Sequence, residues 1–287
     1  MTAKDWLMKA KSEHFAIGAF NVGNLETLKA VAHAAANQKS PVIIESSPGE
    51  TAWFGAENIV SLAKNFSKMY QVPILVNLDH ACEAASCQQA INLGFDLVHY
   101  DGSQLPYQQN VINSQPIVQL AHKEGLLVEG EIDHIQGSSE MHSGSAAQEA
   151  AKGAFTDPEQ AKLFVQATGI DIFASFFGNV HGVFLGNDEH LSLDLLARIA
   201  QTLPDTFLSL HGGSGIPDEE IRQAIGLGIV KVNVNTDIRQ VFRKTLEKAL
   251  EEQPDEYAPY KFMANVVEAV SVVVEQKIAL FGSAGKM

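Results

Sequence analysis

Eight short apolar runs recur along the chain, and most are followed by a longer stretch of helical period. The runs are Phe15–Phe20, Val42–Glu45, Ile74–Leu78, Leu97–Tyr100, Leu126–Ile132, Ile170–Phe176, Phe207–Leu210 and Ile229–Val232. Helical patterns cover Leu25–Asn37, Ala56–Met69, Glu83–Leu93, Gln108–Lys123, Leu193–Thr202, Asp218–Leu227 and Thr236–Glu251. Strand followed by helix, repeated this often, predicts an α/β chain closed into a (β/α)8 TIM barrel. Such barrels run to about 250 residues as one domain. The 287 residues here, with nothing to mark a boundary, predict a single domain over 1–287.

Two segments fall outside the alternation. Asp133–Ala154 is rich in Gly, Ser, Ala and His and shows no clear strand. A loop of that length in a compact domain is usually a lid or binding loop, so 133–154 is expected to be a mobile active-site loop. Residues 259–279, centred on the apolar Phe262–Ile278 stretch, read as a C-terminal helical extension. Asp157-Pro158 reads as a helix start, with Asp157 capping and Pro158 in the first turn.

Composition excludes several function classes. Apolar residues at 46% and charged residues at 19% fit a globular enzyme, not a disordered chain. The net charge of −14, with no Lys/Arg cluster, argues against a nucleic-acid partner. No apolar run reaches the roughly 18 residues of a membrane span. Met1–Lys11 lacks the apolar core of a signal peptide. The two cysteines, Cys82 and Cys87, are too few for a disulfide framework and match no Cys-paired zinc spacing. They are expected to be free thiols on a helix, which points to a reducing, cytoplasmic location.

In these barrels, chemistry sits at the C-terminal strand ends. The residues just past the apolar runs are Asn21, Ser46, Ser47, Asp79, His80, Asp101, Glu131, His181, His211, Asn233 and Asn235. Any one of these histidines could be a core residue bonded to a backbone carbonyl, but three on one rim suggest a metal centre. Three imidazoles and an open position form a catalytic zinc site, which polarises a carbonyl as a Lewis acid. His80, His181 and His211 are the natural set. Asp79 beside them suits a general acid/base, the alternative being a cap for the helix near Glu83.

A second constellation suits an anion. His211-Gly212-Gly213-Ser214-Gly215 leads into a helix at Pro217, and Asn233-Val234-Asn235-Thr236-Asp237 opens the next helix. Small residues let backbone N–H groups approach a phosphate, and a helix N-terminus favours its charge. The loops after the seventh and eighth strands are the recurrent phosphate site of this fold.

Together these motifs resemble the class II ketose-bisphosphate aldolases, the fructose- and tagatose-bisphosphate type, over nearly the whole chain. The resemblance is carried by Ala19-Phe20-Asn21-Val22, Asn77-Leu78-Asp79-His80, Gly178-Asn179-Val180-His181-Gly182, Leu210–Gly215, Lys231–Asp237 and the ending Leu280–Lys286. It implies reversible aldol cleavage of a sugar phosphate to dihydroxyacetone phosphate and an aldehyde. His80, His181 and His211 would hold Zn2+, with Asp101 and Glu131 at second-site or supporting positions. Asp79 would move the proton of the C4 hydroxyl. Gly182, Gly212, Ser214, Asn235 and Thr236 would bind the phosphate, Asn233 the three-carbon half, and Asn21 and Ser47 would line the substrate site. The resemblance further implies a monovalent cation (Na+ or K+) near the phosphate and a homodimer or homotetramer.

Cleaving a ketose 1-phosphate leaves an enediolate on the three-carbon product, whose charge a Lewis acid stabilises where it develops. A lysine Schiff base is the other solution. The one strand-end lysine, Lys231, alternates with apolar residues, so the metal route is expected.

Two places depart from the family pattern. Where the family carries Asp-Pro-Arg, whose Arg reaches a neighbouring subunit and binds the distal phosphate, the chain reads Ala258-Pro259-Tyr260-Lys261. The loop reads Glu131-Ile132-Asp133-His134-Ile135-Gln136-Gly137-Ser138-Ser139-Glu140, and Glu140 is the expected loop acid, with Glu149 and Asp133 behind it. His134 and His142 are expected to be solvated. Three readings stand at this point: a ketose 1,6-bisphosphate aldolase, an aldolase for a ketose 1-phosphate without a distal phosphate, and a non-catalytic sugar-phosphate binder on the same scaffold.

Overall fold

The computed structural model describes residues 1–186 and 188–287. Its strands, in chain order, are β1 (Ile17–Asn21), β2 (Val42–Ser46), β3 (Ile74–Ala81), β4 (Leu97–Tyr100), β5 (Leu127–Gly130), β6 (Gly137–His142), β7 (Ile172–Ala174), β8 (His181–Phe184), β9 (Phe207–Leu210) and β10 (Ile229–Val234). All but β6 and β8 close into a barrel in the order β1-β10-β9-β7-β5-β4-β3-β2, with every neighbouring pair parallel. Each of the eight apolar runs became one of these barrel strands.

The helices are α1 (Ala3–Glu13), α2 (Leu25–Gln38), α3 (Pro48–Phe54), α4 (Ala56–Tyr70), α5 (Ala84–Leu93), α6 (Tyr107–Glu124), α7 (Ala146–Ala150), α8 (Pro158–Thr168), α9 (Leu193–Thr202), α10 (Asp218–Gly226), α11 (Thr236–Glu252) and α12 (Pro259–Leu280). The Asp157 side chain accepts from the Gln160 N–H and caps α8, as expected. The C-terminal extension is α12, laid against α2 and α11. Among the described residues, no helix is long and apolar enough to cross a membrane.

Strand side chains alternate, so each barrel strand has an inner and an outer face. The outer faces pack under the helices: Ile44, Val76, Leu78, Val98, Val128, Leu208 and Val232 share one core with Leu28, Ile59, Ile91 and Ile221. Inside, the lowest layer is apolar and contains Ile17, Ile43, Leu75, Leu97, Leu127, Ile172 and Phe207. The face of α1 bearing Trp6, Leu7 and Ala10 packs against this layer and closes the N-terminal end of the barrel. A Thr2–Asp5 capping box starts that helix. Above the apolar layer, Glu45, Asn77, His99, Glu129, Ser209 and Lys231 form a fully buried polar layer. The interior is therefore apolar at one end and ionised at the other, which fixes the end at which chemistry can occur.

Several expectations need correcting. The 133–154 segment is not strandless: β6 pairs in parallel with β8, Gly137 opposite His181 and His142 opposite Phe184, and α7 follows. Its six residues are largely exposed and polar, so no apolar signal marked the strand. A small core of Ile135, Ala146, Ala150, Phe176, Val180 and Phe184 anchors the segment. Of the two free cysteines, only Cys87 lies on a helix, α5; Cys82 is exposed in the turn that precedes it. Neither α1 nor α3 was expected.

Candidate active site

A cavity of about 300 Å³ opens at the C-terminal mouth of the barrel. It is lined by Asn21, Ser47, Asp79, His80, Glu140, His181, Gly182, Gly212, Ser214, Asn233, Asn235 and Thr236, each singled out from the sequence. Asp101, Glu131 and His211, the remaining three, stand beside His80 in the wall, the first 8% exposed and the other two fully buried.

Three imidazoles cluster at the centre. The ring centroid of His80 lies 4.7 Å from that of His211 and 5.0 Å from that of His181, and the last two are 6.0 Å apart. His211 Nε2 is 2.9 Å from Glu129 Oε1, and His80 Nδ1 is 2.9 Å from Asp101 Oδ2 and 3.3 Å from Glu131 Oε1. A carboxylate accepts only, so each of those nitrogens carries a proton. The other two, His80 Nε2 and His211 Nδ1, then face each other as lone pairs at 2.9 Å. Two lone pairs at that distance repel, so either one nitrogen holds a proton or the two part around a metal ion. A proton suffices in a ligand-free protein, and a metal ion held by neutral imidazoles suits the same donors.

The electrostatics agree. Burial pushes His181 and His211 below the ordinary histidine range, toward the neutral form that ligates metal. Burial acts the same way on His80, but Asp79, Asp101 and Glu131 outweigh it and hold its pKa well above that range. Both carboxylate oxygens of Glu131 are buried without a hydrogen-bond partner, a costly state that a cation would relieve. The donor atoms of Asp79, His80, His99 and His211 lie within 4.8 Å of one another, as do those of His80, Asp101 and Glu131. The residues present therefore fit a small dication, with His181 at a longer reach than the other two histidines.

Asp79 is not a helix cap; Glu83 occupies the position before α5. Its carboxylate accepts from Asn233 Nδ2 at 3.2 Å and Asn21 Nδ2 at 3.4 Å. Burial opposes its charge, yet His80, His99, His211 and Lys231 hold it ionised well below the usual carboxylate range. It is an ionised carboxylate fixed at the edge of the histidine cluster.

The polar layer beneath ties these groups together, and the sequence reading had assigned it no part in the site. Lys231 Nζ donates to Glu129 Oε2 and to Asn233 Oδ1, both at 2.8 Å, and lies 3.5 Å from Glu45 Oε2. Burial works against its charge, but Glu129, Glu45 and Asp79 raise its pKa above the ordinary lysine value. A charged, three-way paired amine is a poor nucleophile. Glu45, pushed up to about 8 by burial and by Asp79, accepts from Asn77. These residues occupy inward positions one layer below the strand ends, and alternate-residue spacing from Asp79, Asp101, Glu131, His211 and Asn233 would have found most of them.

The other end of the cavity is lined by small residues and a helix N-terminus. Gly182 has φ 107 and Gly212 φ 70, and a Cβ on either would fall within 2.5 Å of a backbone carbonyl oxygen, so no other residue fits. Ser214 Oγ accepts the Asp237 N–H, and α11 begins at Thr236 with its N-terminus at the cavity. Arg239 on α11 also lines it, bonded to Glu50 Oε1 at 2.7 Å. Arg239 and Glu50 had not been singled out.

Of the loop acids, Glu140 on β6 is exposed and lines the cavity. Glu149 pairs with Lys152, and neither it nor Asp133 lines the cavity. His142 stacks on Phe184 and contacts Ser138 O, and His134 is 3.4 Å from Ser103 Oγ.

Comparison with known proteins gives one family. The family model described as "Fructose-bisphosphate aldolase class-II" matches residues 1–286. The chain is 36% identical over 298 aligned residues to a fructose-bisphosphate aldolase of Streptococcus pneumoniae, covering 100% of this chain and 99% of the other. It is 35% identical to the D-tagatose-1,6-bisphosphate aldolase subunit GatY of Klebsiella oxytoca, with the same coverages. The crystal structure of the YdjI aldolase from Escherichia coli K12 superposes with a TM-score of 0.82 at 29% identity, covering 100% and 98% of the two chains.

Proposed function

The chain belongs to the class II fructose-bisphosphate aldolase family, and from that premise we propose that it reversibly cleaves a ketose 1,6-bisphosphate of the fructose or tagatose type to dihydroxyacetone phosphate and an aldehyde, with zinc. The observation that carries this reading is the 2.9 Å approach of His80 Nε2 to His211 Nδ1 beside an ionised, doubly held Asp79. Zinc bound by His80, His181 and His211 would polarise the ketose carbonyl as a Lewis acid.

The chain's own groups supply the rest. The phosphate of the three-carbon half sits against Gly182, Gly212, Ser214, Asn235 and Thr236 at the N-terminus of α11, and Asn233 reaches that half's oxygens. Asn21 and Ser47 face the rest of the substrate. Asp79 takes the proton of the C4 hydroxyl as the C3–C4 bond breaks, and returns it in the condensation direction. Glu140 exchanges the proton of the three-carbon fragment from the opening of the cavity. The test is direct: the zinc-loaded protein is incubated with fructose 1,6- and tagatose 1,6-bisphosphate, and dihydroxyacetone phosphate is measured. Product release that a chelator stops supports the reading; no release from either sugar contradicts it.

A second reading, a ketose 1-phosphate without a distal phosphate, rests on charge. A bisphosphate brings two dianions, and the cavity has one guanidinium, Arg239, already paired with Glu50. Tyr260 is 76% exposed at the start of α12, and Lys261 is paired with Glu256. Neither lines the cavity.

A further inference from the structure

Asp79 and His80 are consecutive residues of β3, and consecutive strand residues point to opposite faces. Both nevertheless reach the cavity. Alternation accounts for Asp79: Leu75 lies in the barrel's lower core, and Asn77 and Asp79 follow it upward on the same face. Val76 and Leu78 pack outward under the helices, and His80 by the same count belongs with them. Its ring instead meets Asp101, Glu131 and His211 inside.

The backbone shows how. His80 has φ 47, and the pairing of β3 with β4 shifts register between Leu78 and Ala81. Among the described residues, four non-glycines have positive φ. His14, Lys39 and Gln71 end α1, α2 and α4, a common place for that conformation, whereas His80 lies within a strand. Such a conformation costs on the order of 1–3 kcal/mol and persists only where its surroundings hold it. A bulge also removes a backbone group from the ladder, and that group needs another partner.

The partner is His99. It stands on β4 with its ring 4.5 Å from that of His80, fully buried, and its Nδ1 receives the His80 N–H at 3.3 Å. Asp79 Oδ1 is 3.7 Å from the same nitrogen, too far for a hydrogen bond, and Glu131 Oε1 is 3.5 Å from Nε2. Burial lowers the pKa of His99, yet Glu129 and its neighbours raise it to about 9 overall. A proton on Nδ1 would set two N–H groups against each other, and a bound dication would disfavour further positive charge. The contact therefore indicates a neutral ring with its proton on Nε2.

We propose that His99 is a positioning residue: its Nδ1 lone pair holds the His80 N–H and so fixes the β3 bulge that turns His80 into the active site beside Asp79. This rests on the metal-dependent aldolase reading for its catalytic consequence, but not for its geometric one. Outer partners of metal ligands typically change metal affinity or activity by about 10–100-fold when removed.

The experiment compares His99→Asn, His99→Gln and His99→Phe. The Asn carboxamide offers an acceptor close to the place of Nδ1; that of Gln sits near Nε2; Phe offers none. Cobalt(II) affinity and the cobalt d–d spectrum are measured without substrate, then kcat and KM. His99→Gln and His99→Phe should each lose about tenfold or more in cobalt affinity, with a shifted spectrum, and kcat should fall by about 10–100-fold. KM should stay within about threefold, because the anion cradle lies on other strands. His99→Asn should stay within about threefold of the wild type in every measure. If His99→Phe does not fold, the Asn and Gln pair still decides. Wild-type cobalt affinity in His99→Gln, or equal damage in His99→Asn and His99→Gln, overturns the proposal. A wild type that binds cobalt but cleaves no sugar phosphate sinks the aldolase reading alone, and the affinity comparison still judges His99.

Discussion

His80 Nε2 and His211 Nδ1 approach to 2.9 Å across the barrel, and the far nitrogen of each ring is bonded to a carboxylate, Asp101 for one and Glu129 for the other. The carboxylates choose the tautomers, and the tautomers aim both lone pairs at one point. Chelation should therefore abolish activity, and zinc or cobalt should restore it. Activity that survives exhaustive dialysis against a strong chelator, with metal content measured as nil, would contradict this.

Lys231 is the one lysine within reach of the reacting groups, and its pairing with Glu129 and Glu45 makes it structural. Borohydride added with substrate should trap no covalent adduct by mass spectrometry. Lys231→Met should instead lower stability by about 3–5 kcal/mol, because it leaves the buried Glu129 carboxylate without its cation. Denaturant unfolding reads the loss, and an unfolding midpoint equal to the wild type's would refute it.

Glu189 carries a pH signature. It is buried, one oxygen accepting the Val180 N–H and the other without a partner among the described residues, and burial raises its pKa from 4.5 to about 8. Between those values the unfolded chain has released a proton that the folded chain still holds. Stability attributable to this group thus falls as pH rises from 4.5 to about 8. Glu189→Gln should flatten that slope and raise the melting temperature at pH 8 by several degrees. Parallel curves for variant and wild type across this range would count against it.

Substrate preference separates the two functional readings. If no cation of this chain meets a distal phosphate, the bisphosphate should gain little over the 1-phosphate. Hydrogen bonds to charged groups contribute about 1.5–3 kcal/mol each, so if position 260 faces a neighbouring subunit's cavity, as the family resemblance implies, Tyr260→Arg should raise kcat/KM for fructose 1,6-bisphosphate by roughly one to two decades and leave fructose 1-phosphate unchanged. A wild type that prefers the bisphosphate by several orders of magnitude, with no gain from Tyr260→Arg, would favour the bisphosphate reading.

The barrel was legible because each strand is buried on both faces and so reads as an apolar run. β6 was not, because it pairs with β8 over the mouth through exposed, polar residues. The strand-end histidines and Asp79 were legible because this fold places chemistry where the apolar runs stop. Glu45, His99 and Glu129 lie inside the apolar runs, where their neighbours mask them as site residues. Lys231, alternating with apolar residues, is masked in the same way. That His80 and Asp79 share one face depends on a φ angle, which residue types alone do not specify.

Asp79 is the group on which the account turns, and one measurement tests it most directly: kcat of Asp79→Ala, zinc-loaded and folded, with metal content determined on the same sample. A general acid–base group contributes about 10²–10⁴-fold, so turnover of fructose or tagatose 1,6-bisphosphate should fall by that factor while zinc content and the circular dichroism spectrum stay at wild-type values. Wild-type turnover in that variant would contradict the assignment.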